Sequence, residues 1–187
     1  MTQSLPARCL PVLFLLSLIG SFAGANDLAP PGYSWQACKS IECYFLVPDG
    51  WQLKQLDNAK VLKYQLMPDQ HNRKVPPQIR INILTNMEGQ TGLSAERHTE
   101  LFMQELGRNG KVLDIWNHKS GVLRSTAATS LHVERVPAAL RKFNLLIRNT
   151  QTGTLYVFTF ETQSEYWDKD WGVVEAIFTR LRLDEGV

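Results

Sequence analysis

The pattern of apolar positions is clearest between residues 141 and 183, where it predicts two strands followed by a helix. The second strand, residues 154–162, carries apolar side chains on both faces: Tyr156, Phe158 and Phe160 on one, and Leu155 and Val157 on the other. A strand of this kind is typical of the interior of a sheet that is covered on both sides. The first strand, residues 141–148, alternates in the usual way, and residues 150–153 supply a hairpin turn between the two.

The segment after this hairpin has the periodicity of an amphipathic helix. Its apolar side chains recur at spacings of three and four, at Trp167, Trp171, Val174, Phe178 and Leu181. At that spacing the two tryptophans are interpreted as core residues rather than as a platform for a ligand. Tyr166, Asp168 and Asp170 are expected to be exposed and are candidates for the rim of a partner site.

Upstream, shorter alternating segments predict further strands at residues 43–48, 60–66, 78–84, 112–117 and 121–127. The Pro- and Gly-rich residues 26–35 and the Gly-containing residues 86–92 are expected to be irregular. Trp51, which follows the turn after the first strand, is expected to be buried against the sheet edge. Residues 129–137 are ambiguous, because their polarity and Pro137 argue against a central strand.

One more helix is predicted in mid-chain and completes the expected fold class. Ser94 is placed to cap a helix over residues 94–106, whose apolar face would carry Ala95, His98, Phe102 and Leu106. Most connections between strands are short, which favours antiparallel neighbours. The order of elements therefore predicts an α+β fold in which a mostly antiparallel sheet lies between helices.

The end of the first predicted strand and the turn after it resemble the start of a known family. Residues 47–51, VPDGW, are similar to the F-x-V-P-x-G-W start of the PsbP/Mog-like superfamily, which includes bacterial DcrB-like exported proteins. The similarity continues with the capped helix, a strand that starts at Gly121, and the closing hairpin and helix to residue 183. The resemblance implies an α/β/α sandwich over nearly the whole mature chain. It also implies an accessory or binding role, because most members are not enzymes.

The N-terminal segment has the features of a cleaved secretory signal. An apolar run at residues 10–22 follows Arg8, and Ala23-Gly24-Ala25 matches the A-x-A pattern of a cleavage site. The run is shorter than the roughly 20 residues of a membrane-spanning helix, so a retained anchor is the less favoured alternative. We expect residues 1–25 to be removed, leaving residues 26–187 as one periplasmic or secreted domain without a further transmembrane segment.

Two cysteines, Cys38 and Cys43, remain in the expected mature chain. An even number of cysteines in an exported protein most often forms disulfides, which favours a bond between these two. A zinc site is a weaker alternative, because no histidine or second cysteine pair lies near them in sequence. The spacing also differs from the C-x-x-C of a redox dithiol.

Charge and motif content argue against several classes of function. The chain carries 20 basic and 18 acidic side chains, without the basic excess that is typical of nucleic-acid-binding proteins. It lacks the H-E-x-x-H metal motif, the G-x-S-x-G nucleophile motif and a glycine-rich phosphate loop. Glu96 and Glu100 lie one helical turn apart, as a pair of catalytic carboxylates would. Their favourable interaction with the dipole at the start of the helix is the simpler explanation for these two residues. We therefore expect no catalytic residue, no metal and no cofactor.

The four histidines of the chain are candidates for catalysis or metal binding. His98 is expected to be a structural residue on the apolar helix face, and His118 a turn residue, while His132 lies in the ambiguous segment. His71 lies in the polar loop 68–77, where it could contact a metal or a partner. A lone loop histidine is more often simply solvated than a metal ligand.

Binding residues concentrate in loops held by a rigid scaffold, which makes residues 68–77 and 86–92 the candidate recognition loops. The candidate partner-binding residues are His71, Asn72, Arg73 and Tyr166. We expect an exported, non-catalytic accessory or binding protein of the bacterial envelope or secreted fraction, whose partner is an unknown protein or envelope component. The alternatives are a small secreted hydrolase with a site assembled from distant residues, and a secreted effector that binds a host component.

Overall fold

The computed structural model describes residues 28–56, 61–132 and 139–187. Their strands are β1 Tyr33–Ala37, β2 Tyr44–Pro48, β3 Trp51–Leu56, β4 Leu62–Pro68, β5 Gln78–Leu84, β6 Lys111–Ser120, β7 Leu123–His132, β8 Leu140–Asn149 and β9 Leu155–Gln163. Their helices are α1 Met87–Thr91, α2 Ala95–Asn109 and α3 Trp167–Phe178, the last preceded by a 3-10 turn at Ser164–Tyr166. No helix in these residues is long and apolar enough to cross a membrane. The predicted signal peptide, with its cleavage site after Ala25, lies outside the described residues.

The described strands form two antiparallel sheets. The larger has seven strands in the order β3-β4-β5-β9-β8-β7-β6, and β1 and β2 form a separate hairpin. α3 and the β1–β2 hairpin pack on one face of the large sheet, while α1 and α2 pack on the other. The predicted α+β fold, a mostly antiparallel sheet between helices, is confirmed.

β9 occupies the centre of the large sheet, as its two apolar faces predict. In the register, Phe158 lies opposite Ile81 of β5 and Leu145 of β8. The larger core lies on the α3 side of the sheet and contains the β9 side chains of Tyr156, Phe158 and Phe160. The smaller core, on the α2 side, takes those of Leu155 and Val157. The assignment of both faces is confirmed.

Aromatic rings attach α3 to the sheet. The ring centroid of Trp167 lies 5.3 Å from that of Phe160, and Trp171 lies 4.9 Å from Phe143. The two indoles stack on each other with their centroids 5.4 Å apart. Trp167 is only 7% exposed. The interpretation of these tryptophans as core residues is confirmed.

Ser94 caps α2 as predicted, because its Oγ accepts a hydrogen bond of 3.1 Å from the backbone N–H of Arg97. The helix ends at Asn109, beyond the predicted boundary at residue 106. His98 is half-buried rather than part of the core, and Thr99 is buried in its place. The Thr99 hydroxyl donates to the carbonyl of the preceding turn at 2.8 Å, which satisfies this polar group inside the protein.

Three segments differ from the expectation. Residues 33–35, the end of the segment expected to be irregular, belong to β1, which pairs along its whole length with β2. Trp51 is half-buried and begins β3, an edge strand whose last residues are exposed. β7 extends to His132, although its Ser, Thr and Ala side chains have little hydrophobic signal. Pairing with neighbouring strands stabilises these segments as strands, although their local sequences do not predict it. Residues 133–138 of the ambiguous segment lie outside the described residues.

A buried carboxylate lies on the α2 side of the sheet, where β5, β9 and β8 adjoin. Glu161 is 5% exposed and forms ion pairs with Arg80 and, at 3.1 Å, with Lys142. Its Oε1 also accepts a hydrogen bond of 2.7 Å from Gln78. Because every one of these groups is on neighbouring strands, the network satisfies a buried charge and links three strands through their side chains.

The predicted disulfide is present. Cys38 and Cys43 are bonded, with their Cα atoms 5.4 Å apart. Cys43 is fully buried in the larger core, and its carbonyl accepts a hydrogen bond of 2.9 Å from the N–H of Cys38. The bond therefore closes the connection between β1 and β2, and the buried Cys43 packs this end of the hairpin in the larger core.

Raising the pH above 10 is expected to destabilise the protein through Tyr156. This side chain is fully buried and its hydroxyl donates to the Asp184 carbonyl at 2.7 Å. Burial is the main cause that raises the pKa of Tyr156 well above 10, and the nearby Asp184 carboxylate raises it further. The unfolded chain then releases a proton that the folded chain keeps, so the free energy of unfolding falls by about 1.4 kcal/mol per pH unit above pH ~10.

Urea unfolding between pH 8 and 11 measures this loss. Tyr156→Phe should be less stable at pH 8, where it lacks the hydroxyl's hydrogen bond, and should lose stability less steeply above pH 10. Burial also raises the pKa of Tyr33 and Tyr64, so a smaller slope is expected to remain. Equal slopes for the variant and the wild type would show that Tyr156 ionises freely in the folded protein.

Candidate partner-binding surface

The polar loop between β4 and β5, residues 69–77, is attached to the start of α3 by Arg73. The Arg73 Nη1 atom lies 2.6 Å from the Asp170 Oδ2 atom. The guanidinium carbon also lies 4.0 Å from the centroid of the Tyr166 ring, in a cation–π arrangement. The Arg73 side chain is 19% exposed and that of Asp170 is 7% exposed, so their ion pair is largely shielded from water.

Asp170 receives a second hydrogen bond from the sheet. The Thr162 hydroxyl, at the end of β9, donates to Oδ2 of Asp170 at 2.5 Å. Thr162 is fully buried and Asp170 lies in the first turn of α3, where a carboxylate interacts favourably with the helix dipole. The loop, the helix and the central strand are thus joined at one carboxylate, and we call Arg73, Tyr166, Thr162 and Asp170 the loop clamp.

The loop presents His71 and Asn72 to solvent. Both are exposed, and the His71 Nδ1 atom lies 3.2 Å from the Arg73 carbonyl oxygen. Since a carbonyl oxygen only accepts hydrogen bonds, Nδ1 is the donor, and Nε2 is the ring nitrogen directed away from this contact. Tyr166, half-buried under Arg73, lies next to the loop.

The structure brings the candidate residues together, and the charge of Arg73 is paired with Asp170. His71 and Asn72 are exposed, as a recognition role requires, whereas Arg73 uses its charge within the protein. The expectation that Tyr166, Asp168 and Asp170 are exposed is wrong for Tyr166, which is half-buried, and for Asp170, which is 5% exposed. Helical spacing could have shown this, because Asp170 is three residues after Trp167 and therefore lies on the buried face.

His118, expected to be a turn residue, lies instead in strand β6 and is half-buried, and His132 is the last residue of β7. The Ser130 Oγ and His132 Nε2 atoms lie 3.1 Å apart, which resembles a nucleophile and its base. Ser130 is fully buried and His132 is 8% exposed. The His132 ring also packs against Gly110, where an added Cβ would lie 2.8 Å from it. A substrate cannot reach this pair, and its role is structural.

The second candidate loop, residues 86–92, contains a short helix. Met87–Thr91 form α1, and Asn86 caps it with φ at 45°, a left-handed conformation that asparagine tolerates. The Asn86 Oδ1 atom accepts a hydrogen bond from the Gly89 N–H at 3.3 Å. A Cβ at Gly89 would lie 2.5 Å from the Asn86 amide, so this cap requires glycine there. In residues 28–56, 61–132 and 139–187, no cluster of three or more His, Cys, Asp or Glu side chains is placed to hold a metal ion.

No family model and no curated protein sequence matches this chain. Solved structures do match it. LpqN from Mycobacterium tuberculosis, described as involved in cell envelope biogenesis, aligns with a TM-score of 0.56 at 12% identity, over 80% of this chain and 88% of LpqN. PsbP from the cyanobacterium Synechocystis aligns with a TM-score of 0.53 at 14% identity, over 88% of this chain and 98% of that protein. The Saccharomyces cerevisiae Ran-binding protein Mog1p aligns with a TM-score of 0.52 at 10% identity, over 80% of this chain and 94% of Mog1p.

These three alignments include both proteins after which the superfamily is named. They cover most of this chain and most of each solved structure. The chain therefore has the PsbP/Mog-like fold, which is the fold that the resemblance at residues 47–51 implies. Sequence identities of 10–14% define a shared architecture and not a shared activity.

Proposed function

We propose that this chain is an exported, non-catalytic binding protein of the bacterial envelope or the secreted fraction. Its partner is a protein or another envelope component, which it contacts through residues 69–77 and the adjoining start of α3. The single observation that carries the proposal is the loop clamp, in which Arg73 holds a polar loop against Tyr166 and Asp170.

The clamp matters for binding because it fixes the loop before a partner arrives. An unrestrained loop loses conformational freedom on binding, which weakens the complex, whereas a loop already held in place loses less. The buried ion pair at 2.6 Å restrains the middle of the loop and leaves His71 and Asn72 exposed beside it. Such a loop on a rigid sheet is the usual arrangement of a recognition surface.

Export is supported by two features of the chain. The bond between Cys38 and Cys43 is of a kind that forms and persists in the periplasm or outside the cell. The apolar run at residues 10–22, followed by Ala23-Gly24-Ala25, has the form of a cleaved signal. The fold is also found in LpqN, which is involved in cell envelope biogenesis, and in Mog1p, which binds Ran. Both are compatible with a binding role for this chain.

Affinity capture from crosslinked envelope and medium fractions tests the proposal. The wild-type bait should enrich a partner, and His71→Ala with Asn72→Ala should reduce that enrichment about tenfold or more, as expected for central contact residues. Gln104→Ala, a change at an exposed position of α2, is the matched control and should capture as the wild type does. N-terminal sequencing of the recovered bait should begin at Asn26.

Two results would contradict the proposal. One is capture that is unaffected by the change at His71 and Asn72. The other is a bait that is recovered from the cytoplasm with Met1 still attached. Equal melting temperatures of the double variant, His71→Ala with Asn72→Ala, and of the wild type would exclude misfolding as the reason for lost capture.

A further inference from the structure

A cleft of about 540 Å³ lies at the end of the sheet opposite to residues 69–77. It is bordered by the β6–β7 turn, by the β8–β9 turn and by the first residues of α2. The two ends are separated by the length of the strands, about 20 Å for seven residues. A ligand in this cleft would therefore not touch the loop clamp.

Three basic side chains line the cleft in one row across neighbouring strands. Lys119 of β6 is the register partner of Arg124 of β7, and Arg124 is the register partner of Arg148 of β8. Register partners project from the same face, and neighbouring strands are about 4.8 Å apart. Three like charges within about 10 Å repel one another, and like charges directly opposite in a sheet are destabilising.

Compensation for this repulsion within the described residues is partial. Arg148 pairs with Glu96 at 3.0 Å, but the Glu96 side chain is 72% exposed, so water weakens this ion pair. The Arg148 Nε–H is buried and has no hydrogen-bond partner among the described residues. Lys119 and Arg124 form no ion pair with a described acidic side chain, although the carboxylate of Glu88 also borders the cleft.

Arg124 is held in a fixed position. Its Nη1 donates to the Gly121 carbonyl in the β6–β7 turn at 2.7 Å and to the Leu123 carbonyl at the start of β7 at 2.9 Å. These neutral acceptors orient the guanidinium without neutralising its charge. A guanidinium that is fixed in this way loses little freedom when it binds an anion.

We propose that this cleft binds a phosphate group, carried by a soluble phosphate ester or by a lipid headgroup. Two arginines and one lysine match a phosphate in charge, and the guanidinium fork matches it in geometry. Glu96 holds Arg148 in the free protein and is displaced when phosphate enters. The site is independent of the partner proposed for residues 69–77, so either proposal can fail alone.

Titration with inorganic phosphate, monitored by amide NMR shifts at constant ionic strength, tests this site. The wild type should saturate, with the shifts centred on residues 119–124 and 148–153. Lys119→Gln and Arg124→Gln should each weaken binding about fivefold or more, the usual loss for one charge-assisted contact. Glu96→Gln should strengthen it, because a competing carboxylate is gone.

Lys63→Gln is the matched control. Lys63 lies on the same face of the sheet, in the register row of Asn82 and Val157, and does not line the cleft. Its loss should leave phosphate binding unchanged. Lys119→Gln should also melt at or above the wild-type temperature, because it relieves repulsion, so weaker binding by this variant would not reflect unfolding.

Competition experiments separate the two sources of phosphate. Displacement of inorganic phosphate by vesicles that contain phosphatidic acid, but not by glycerol phosphate, would identify a lipid headgroup. The reverse would identify a soluble ester, and both results support the site. The proposal is overturned if phosphate does not saturate the wild type, or if chloride at equal ionic strength produces the same shifts. It is also overturned if Lys63→Gln weakens binding as much as Lys119→Gln does.

Discussion

Asp170→Ala is expected to lower the free energy of unfolding by about 3–5 kcal/mol, the range for removing one partner of a buried ion pair. The change leaves the Arg73 guanidinium, 19% exposed, without its carboxylate, and it leaves the buried Thr162 hydroxyl without an acceptor. Both groups have lost most of their water and regain little of it in the folded variant. The cation–π contact with Tyr166 is worth only about 0.5–2 kcal/mol and cannot replace the ion pair.

Asp168→Ala is the matched control for this prediction. Asp168 lies two residues earlier in the same helical turn, but it is exposed. Its loss should change stability by less than about 1 kcal/mol, as for other surface charges near a helix N-terminus. Urea unfolding measures both variants. Hydrogen exchange should also accelerate at the amides of residues 71–75 in Asp170→Ala, and an equal effect of the two variants would show that the clamp is not a buried pair.

Phe158→Ala is expected to destabilise the protein by a similar amount, about 3–5 kcal/mol. Phe158 is fully buried at the centre of β9. Its ring meets Phe45 of the β1–β2 hairpin at 6.0 Å and Phe178 of α3 at 6.2 Å, both edge to face. The alanine variant would leave a cavity where the sheet, the hairpin and the last helix converge, and no neighbour can fill it without moving away from another contact.

The smaller core offers a comparison for the same substitution. Phe102 of α2 is half-buried and packs against the opposite face of the sheet. Phe102→Ala should cost clearly less than Phe158→Ala, because part of that ring is already in water and the helix surface can relax. Thermal or urea unfolding of both variants gives the comparison. Equal losses would mean that the two cores contribute equally, contrary to their difference in burial.

The centre of the fold was predictable because its side chains are apolar in a regular pattern. β9 and α3 were assigned with the correct buried faces from Phe158 and from the spacing of Trp167 and Trp171. β1 was not, because the prolines and glycine just before it indicated an irregular segment, although Tyr33, Trp35 and Ala37 alternate with polar side chains. β3 is an edge strand with exposed final residues, and edge strands need few apolar side chains.

The candidate surface was predictable in part. The polarity of residues 68–77 identified an exposed loop, and His71 and Asn72 are indeed exposed. The contact between Arg73 and Asp170 joins residues that are 97 positions apart, and no local pattern reports such a pairing. The row of Lys119, Arg124 and Arg148 depends in the same way on strand register, which the sequence determines only after the strand order is known.

We propose that residues 69–77, held by the loop clamp, form the surface that contacts a partner. Site-specific photocrosslinking in intact cells tests it most directly, with a photoreactive amino acid at position 72 or, as the control, at position 104 on α2. Crosslinked partner should form from position 72 only and should decrease when Asp170→Asn releases the loop. Equal crosslinking from both positions, or none from position 72 in envelope and medium, would contradict the claim.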